Sequence, residues 1–418
     1  MGWILYTRWV FMPCFMTLHI AWLGKKSPFC GNVTYSREVT NHLTHMGHRV
    51  SFLHFAQEEE LEEQTFLSQT VRSDSPLPEE VPLPFLYRSQ VYTLPTLKAR
   101  KVLTESLRDL HPDVVHASLT LSPLDFVLPE ICEELGLPLV ATFHPAFDRR
   151  RNNFAANTQY LMYQFYAPCL AAYQRVIVFS QLQKEILSKM GVSSARIVVI
   201  PNGVDVEKYS PGLSNAKSHF EADRLFVYMG RVSVEKNLEP MLKAWKSCRD
   251  LIDGHHSNSM NLQHKLVIMG DGPQRPLLQN FYTEEDGIIW LGFVASEEER
   301  LWVLRGADVF VLPSLVEGLS ISLLEAMACG LAVVATDVGA DGEVLAGGAG
   351  IMVQPYQVQA QLRTLIPLFV EHPEFIKILG EKARARVIDR YTLGKNIETL
   401  AKLYDEILGR VPVETSLS

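Results

Sequence analysis

At 418 residues the chain is too long for one ordinary core, so two or three domains are expected. A composition of 47% hydrophobic and 21% charged residues excludes a disordered chain, and a formal net charge of -8 gives a nucleic-acid partner no support. Six scattered cysteines (Cys14, Cys30, Cys132, Cys169, Cys248, Cys329) exclude a zinc ribbon or a disulfide scaffold and favour a reducing compartment.

Residues 1–15, "MGWILYTRWVFMPCF", are apolar but are interrupted by Arg8 and Pro13, too short and too broken for a spanning helix. They read as an extension upstream of a start at Met16, with membrane anchoring as the other reading. From there, short buried runs alternate with helical patterns. The first series is 18–24, 49–56, 113–118, 138–144, 175–180 and 196–201; the second is 225–230, 265–270, 288–293, 309–314, 331–337 and 350–355. Continuous aliphatic runs separated by helices indicate parallel sheets buried on both faces. The polar stretch 206–223 separates the two series, which indicates two doubly wound domains. Residues 57–85, acidic and proline-rich, read as a surface excursion of the first domain.

Open parallel sheets bind ligands at the carboxyl ends of their strands, so chemistry is expected in a cleft between the two sheets. After the first strand, Gly24 and Gly31 precede a helix expected to begin around Asn32 or Thr34. Such a turn lets backbone N–H groups approach an anion, though a strand-to-helix turn needs glycine on steric grounds alone. In "MGRVSVEKN", Gly230 ends a strand, Arg231 follows and Lys236 comes near the head of a helix, a cationic setting for a diphosphate. Solvated surface cations are the alternative, and Glu235 is placed to blunt their charge. "GDGP" (270–273) offers backbone support for a nucleotide base, or only a tight turn. In "PSLVEGLSISLLEAMAC", Glu317 stands where a loop becomes a helix, and Glu325 lies eight residues on among apolar neighbours. A loop carboxylate accepts hydrogen bonds from sugar hydroxyls, and a carboxylate buried to no purpose is costly. The histidines of "HLTHMGH" do not share one helix face, and no convincing DxD metal motif is present; no metal is expected.

Taken in order, "VIPNGVDVEKYSP", "GRVSVEK", "GDGP", "ADVFVLPS" and "EGLSISLLEA" resemble the family-4 retaining glycosyltransferases over roughly residues 17–410. The resemblance implies the GT-B fold, an α/β architecture of two Rossmann-like domains facing across a cleft. An acceptor domain would span 16–205, a linker 206–223 and a donor domain 224–385, with a C-terminal helical segment (386–418) packing back on the first domain. It implies His144, Arg231, Lys236 and Glu317 as catalytic residues. The donor would be held by Gly31, Gly230, Arg231, Lys236, Gly270, Leu319, Ser320 and Glu325. In these roles Arg231 and Lys236 hold the leaving diphosphate, Glu317 meets the donor sugar and Glu325 the ribose, while His144 lies near sugar and acceptor. The resemblance also implies front-face attack with retention, a nucleotide sugar (a UDP-hexose) as co-substrate and no further cofactor. One departure concerns "TDVGADGEVL", which keeps Gly339 and Glu343 but has Ala340 and Asp341 between, and this bears on sugar selectivity.

For the acceptor, two basic and aromatic stretches of the first domain (94–107 and 147–176) suit a membrane interface, although core packing explains the aromatic one as well. The chain also resembles cyanobacterial and plastid-type glycolipid glycosyltransferases, including digalactosyldiacylglycerol synthases. That resemblance implies a lipid acceptor and peripheral attachment on the cytoplasmic or plastid-stromal side. A soluble acceptor, or a sugar-nucleotide sensor without catalysis, remains open at this point.

Overall fold

The computed structural model describes residues 17–26, 31–56, 79–89, 92–119, 121–145, 154–254 and 263–410. In the first half β1 (His19–Gly24), β2 (Arg49–Phe55) and β3 (Glu79–Leu83) are followed by a small antiparallel pair, β4 (Phe85–Arg88) and β5 (Thr93–Pro95). Then come β6 (Val114–Ser118), β7 (Leu139–Thr142), β8 (Arg175–Val178) and β9 (Ile197–Val199). The second half supplies β10 (Arg224–Met229), β11 (His264–Met269), β12 (Ile288–Gly292), β13 (Val309–Leu312), β14 (Ala332–Thr336) and β15 (Ile351–Val353).

Two parallel sheets result: a seven-stranded one in the order β3-β2-β1-β6-β7-β8-β9, and a six-stranded one in the order β12-β11-β10-β13-β14-β15. Their strands read as unbroken apolar runs because helices cover both faces. Thus every residue of β6, β7, β13 and β14 is buried. In each sheet the strand order reverses once, between β1 and β6 and between β10 and β13. Those reversals open the crevices where parallel sheets take ligands. The loops carrying Gly31, Arg231, Lys236 and Glu317 follow β1, β10 and β13, so all four stand at these reversals.

The surface-excursion reading of 57–85 is corrected at its end, because β3 pairs in parallel with β2 as the edge of the first sheet. Two acids and a proline hide this strand in the sequence. Pro82 is tolerated because an edge strand has a side that needs no ladder partner. The acids are satisfied by side chains: Glu79 lies 2.9 Å from Arg49, and Glu80 lies 2.5 Å from Lys26. Residues 57–78 lie outside the described residues, as do 1–16 and Arg149, Arg150 and Arg151.

The chain crosses between the sheets twice, at 200–223 and again near Tyr391, where Val204 and Thr392 form a parallel bridge. Past that point the helix Leu393–Ile407 packs on the helix Gly31–His45 of the first half. Tyr404, fully buried, meets His116 Nδ1 at 2.6 Å, while His116 Nε2 bonds Thr142 Oγ1 at 2.8 Å and the ring stacks on Trp22. Burial pushes the His116 imidazole down to about 3, so it stays neutral and both its nitrogens need partners. Replacing Tyr404 by Phe strands one of them. Tyr404→Phe is expected to cost about 1–3 kcal/mol in denaturant unfolding; an unchanged midpoint would show that this bond does not fasten the helix.

Candidate active site

Three loops at the carboxyl ends of β10, β13 and β14 are woven into one surface. The β10 loop runs from Gly230 through a short 3-10 turn, Val234–Lys236, into the helix Leu238–Gly254. Asn237 takes a left-handed conformation (φ 54°) and donates to the Pro313 carbonyl at 3.1 Å, and the Leu315 amide donates to Glu235 O at 2.8 Å. These bonds fix the β10 loop to the β13 loop. Lys236 Nζ therefore reaches Glu317 Oε1 at 2.5 Å, and the same oxygen accepts the Ser314 hydroxyl at 2.7 Å. Arg231 stands on the same loop, half exposed, with Glu235 loosely opposite at 3.9 Å. Glu235 thus faces Arg231, while the partner of Lys236 is Glu317.

The β14 loop presses on the β13 loop from the other side. Gly339 has φ +56°, and a Cβ there would stand 2.1 Å from the Glu317 carbonyl oxygen, so only glycine fits. The Ala340 amide donates to Gly318 O at 2.7 Å, and the Ser320 amide donates to Asp341 Oδ1 at 3.0 Å. Ser320 also caps the helix Ile321–Ala328, its hydroxyl accepting from the Leu323 amide. The amide and hydroxyl of Ser320 are thereby engaged with Asp341 and with its own helix, a structural role beside the one expected for it in donor binding. Asp341 is fully buried beneath this loop, not on the cleft wall.

Glu325 lies one turn inside that helix and is only partly exposed. Tyr209, whose hydroxyl donates to Glu297 Oε1 at 3.1 Å, lies beside its carboxyl group, and the charges of Arg300, Glu297 and Glu38 surround it. Burial pushes the group up to about 7. Glu38, Glu297 and Arg300 also line a cavity of about 420 Å³ shared by both halves of the chain, together with His42, Asp205 and Lys208. His48 turns away, its Nδ1 accepting the Leu18 amide.

The first half closes the site from above. The His144 carbonyl oxygen lies 3.3 Å from where a Cβ on Gly318 would stand, so His144 sits directly over the β13 loop. Its Nε2 shares a hydrogen bond with Ser118 Oγ at 2.8 Å, and Tyr35 packs edge-on against the ring. Burial, with the charge of Lys25, pushes the imidazole down to about 3; it is neutral and serves as a hydrogen-bonding group, not as a cation. Gly31 opens its helix, and among the described residues nothing lies within 4 Å of a would-be Cβ. Leu319 is buried and its carbonyl accepts from Asn202. The Glu343 carboxylate accepts the amides of Gln181 and Leu182, at the start of the helix Gln181–Lys189. Gly270 stands apart: a Cβ there would fall 1.8 Å from Gly230 O, so its bareness serves loop packing.

The structure therefore gathers Lys236, Glu317, Arg231, Gly318 and His144 at one point, with Glu325 beyond the first turn of the helix. Ser314, Asn202 and Tyr209 were missed by sequence reasoning. All three lie in stretches that carry the resemblance, 199–211 and 307–314, but no spacing or residue pattern marked them out there. Because the Glu325 carboxyl is raised on folding, its contribution to stability is complete below about 4.5 and lost as pH rises through about 7. Glu325→Gln has no such loss. Thermal unfolding near pH 5 and near pH 8 is expected to show the variant gaining on the parent at the higher pH; parallel profiles would place the group in an ordinary environment.

Residues 30–208 match the family model described as Glycosyltransferase Family 4, and residues 223–369 match that described as Glycosyl transferases group 1. The UDP-Gal:alpha-D-GlcNAc-diphosphoundecaprenol alpha-1,3-galactosyltransferase of Escherichia coli is 25% identical over 308 residues, 71% of this chain and 76% of that protein. Sulfoquinovosyl transferase SQD2 of Arabidopsis thaliana is 26% identical over 303 residues, 68% of this chain and 54% of its own. HepE of Anabaena, solved in complex with UDP, has the same fold with a TM-score of 0.71 at 16% identity, covering 94% of this chain and 100% of that one. The two family matches meet between the two sheets, and the chain belongs to the GT-B glycosyltransferases of the family 4 and group 1 type, enzymes that use nucleotide sugars.

Proposed function

We propose that the chain is a retaining hexosyltransferase that moves galactose or glucose from a UDP-sugar to a hydroxyl of a membrane glycolipid such as monogalactosyldiacylglycerol. The donor half rests on the Lys236–Glu317 pair at the reversal of the second sheet. HepE has been solved with UDP-glucose, and the E. coli relative uses UDP-Gal, which supports a UDP-hexose here. Arg231 and Lys236 take the diphosphate; Lys236 then leaves Glu317, whose carboxylate turns to the sugar. Glu325, beside the cavity, takes the ribose hydroxyls, and neutral His144 bonds the sugar from above. The bond from the anomeric carbon to the phosphate oxygen breaks as the acceptor oxygen attacks from the same face. The acceptor proton passes to the leaving phosphate, whose charge the two cations stabilise.

The observation that carries the lipid half is an apolar patch on the first domain. The β4–β5 pair and the turn after it present Leu86 (73% exposed), Tyr87, Tyr92, Leu94 and Leu97 (101% exposed) to solvent. Exposed Lys98, Arg100 and Lys101 follow directly, at the head of the helix Ala99–Leu110. Aliphatic and tyrosine side chains with adjoining cations suit the headgroup region of an anionic bilayer. The diphosphoundecaprenol in the name of the E. coli relative supports an acceptor carried on lipid. Among the described residues no helix is long and apolar enough to cross a membrane, so the contact proposed is peripheral.

The test is a transfer and hydrolysis assay with UDP-galactose and UDP-glucose, with and without monogalactosyldiacylglycerol in anionic vesicles. Glu317→Gln is expected to lower both transfer and hydrolysis by about 100-fold or more. Leu86→Ser/Leu97→Ser is expected to weaken vesicle sedimentation about tenfold while hydrolysis persists. Transfer only to acceptors free in solution would overturn the lipid reading and leave the donor site standing.

A further inference from the structure

We infer that Asp341 is a positioning residue of the donor site: one oxygen locks the loop that carries Glu317, and the other is held as a hydroxyl so that Glu317 alone offers a negative charge to Lys236. The argument begins with sterics. The β14 loop touches the β13 loop through the tight passage of Gly339 at Glu317 O and through the Ala340 amide on Gly318 O. The third contact is made by a side chain. Asp341 Oδ1 takes the amide of Ser320, the residue whose own hydroxyl caps the helix bearing Glu325. Asp341 thus fixes the segment 317–320 at its far end, and with it the direction of both glutamates.

Its second oxygen decides the charge. Asp341 Oδ2 is buried and has no hydrogen-bond partner among the described residues. An ionised carboxylate with a single donor, enclosed beside a second carboxylate, is strongly disfavoured against the neutral acid. The charged and titratable groups facing it are Glu317 on the β13 loop, Lys236 on the β10 loop, and Tyr391 at the end of the helix Pro373–Arg390. Lys236 favours the anion, but it already pairs with Glu317 at 2.5 Å. Burial first and the Glu317 charge second push the Asp341 carboxyl well above the usual carboxylate range. One negative charge among three groups leaves the empty site balanced against Lys236.

The experiment compares Asp341→Asn and Asp341→Leu with the parent chain. Asn keeps an acceptor for the Ser320 amide and carries no charge; Leu removes the acceptor. Without ligand, infrared difference spectra of parent against Asn near neutral pH are expected to show a carboxylic-acid band lost in the variant. Thermal stability of the parent is expected to fall, relative to Asn, as pH rises above the ordinary aspartate range, because a group raised on folding loses its contribution in that direction. These two arms need no donor. In UDP-hexose hydrolysis, which rests on the function proposed above, Leu is expected to lose about tenfold or more, and Asn to recover most of that loss. A carboxylate band, in place of the carboxylic-acid band, in the parent-minus-Asn difference spectrum, or a pH profile of stability shared by parent and Asn, would overturn the inference. So would an Asn variant as impaired as Leu, since that result requires the charge. If no chain hydrolyses or binds a UDP-sugar, the donor reading fails, and the two ligand-free arms still decide the protonation of Asp341.

Discussion

The ion pair between Lys236 and Glu317 is the contact around which the donor site is arranged. Glu317 is nearly buried, and Lys236 is about one-fifth exposed, so neither charge is well hydrated. Removing one partner of such a pair leaves a buried charge uncompensated, at a cost of about 3–5 kcal/mol. The pair therefore holds the β10 and β13 loops together while the site is empty. A diphosphate carries enough charge to draw Lys236 away, and Arg231, with its weak partner at 3.9 Å, stands ready beside it. In the reaction proposed above, donor binding and the release of Glu317 toward the sugar would be one event.

That arrangement depends on topology. Because β10 and β13 are neighbours in space but far apart in sequence, their loops can exchange bonds only where the strand order reverses. The same reversal in the first sheet sets the start of the helix Gly31–His45. His144, one strand further along at the end of β7, reaches over Gly318. The helix Leu393–Ile407, fastened by Tyr404 and His116, ties the end of the chain back to the first sheet beside the crossing at Val204. The two walls of the site are thus held by bonds made well away from it, together with the Glu343 carboxylate on the helix Gln181–Lys189.

How much of this was legible in the sequence follows from what burial does to residue choice. Every strand covered on both faces could be read, since parallel sheets demand uninterrupted apolar runs. The edge strand β3 could not: its proline and two glutamates satisfy an edge, and an edge resembles a loop in one dimension. Glu317 and Lys236 stood out through the motifs that carry the family resemblance, since a loop cation is by itself more often a solvated one. The bond between them did not, because it joins positions 81 residues apart. Ser320 looked like a donor ligand for the same reason that it makes a good helix cap, a small hydroxyl at a loop-to-helix junction. Its engagement with Asp341, 21 residues on, emerges only when the β14 loop is in place.

The acceptor side shows the same limit from the opposite direction. The stretch 147–176 drew attention for its aromatic residues, yet Tyr163, Tyr166 and Tyr173 are buried, and each hydroxyl has a partner in Pro145 or Asp125. A buried tyrosine with a satisfied hydroxyl belongs to the core. Among the described side chains of that helix the exposed large apolar ones are Leu161 and Phe165, and Phe165 rests on Phe126. The apolar surface instead concentrates on β4 and β5, a pair too short and irregular to advertise itself in sequence, lying outside both parallel sheets. Two short strands with exposed leucines contribute little to folding and would favour aggregation if nothing covered them. The peripheral lipid contact proposed above would cover them, with Lys98, Arg100 and Lys101 alongside, on the same domain that carries His144.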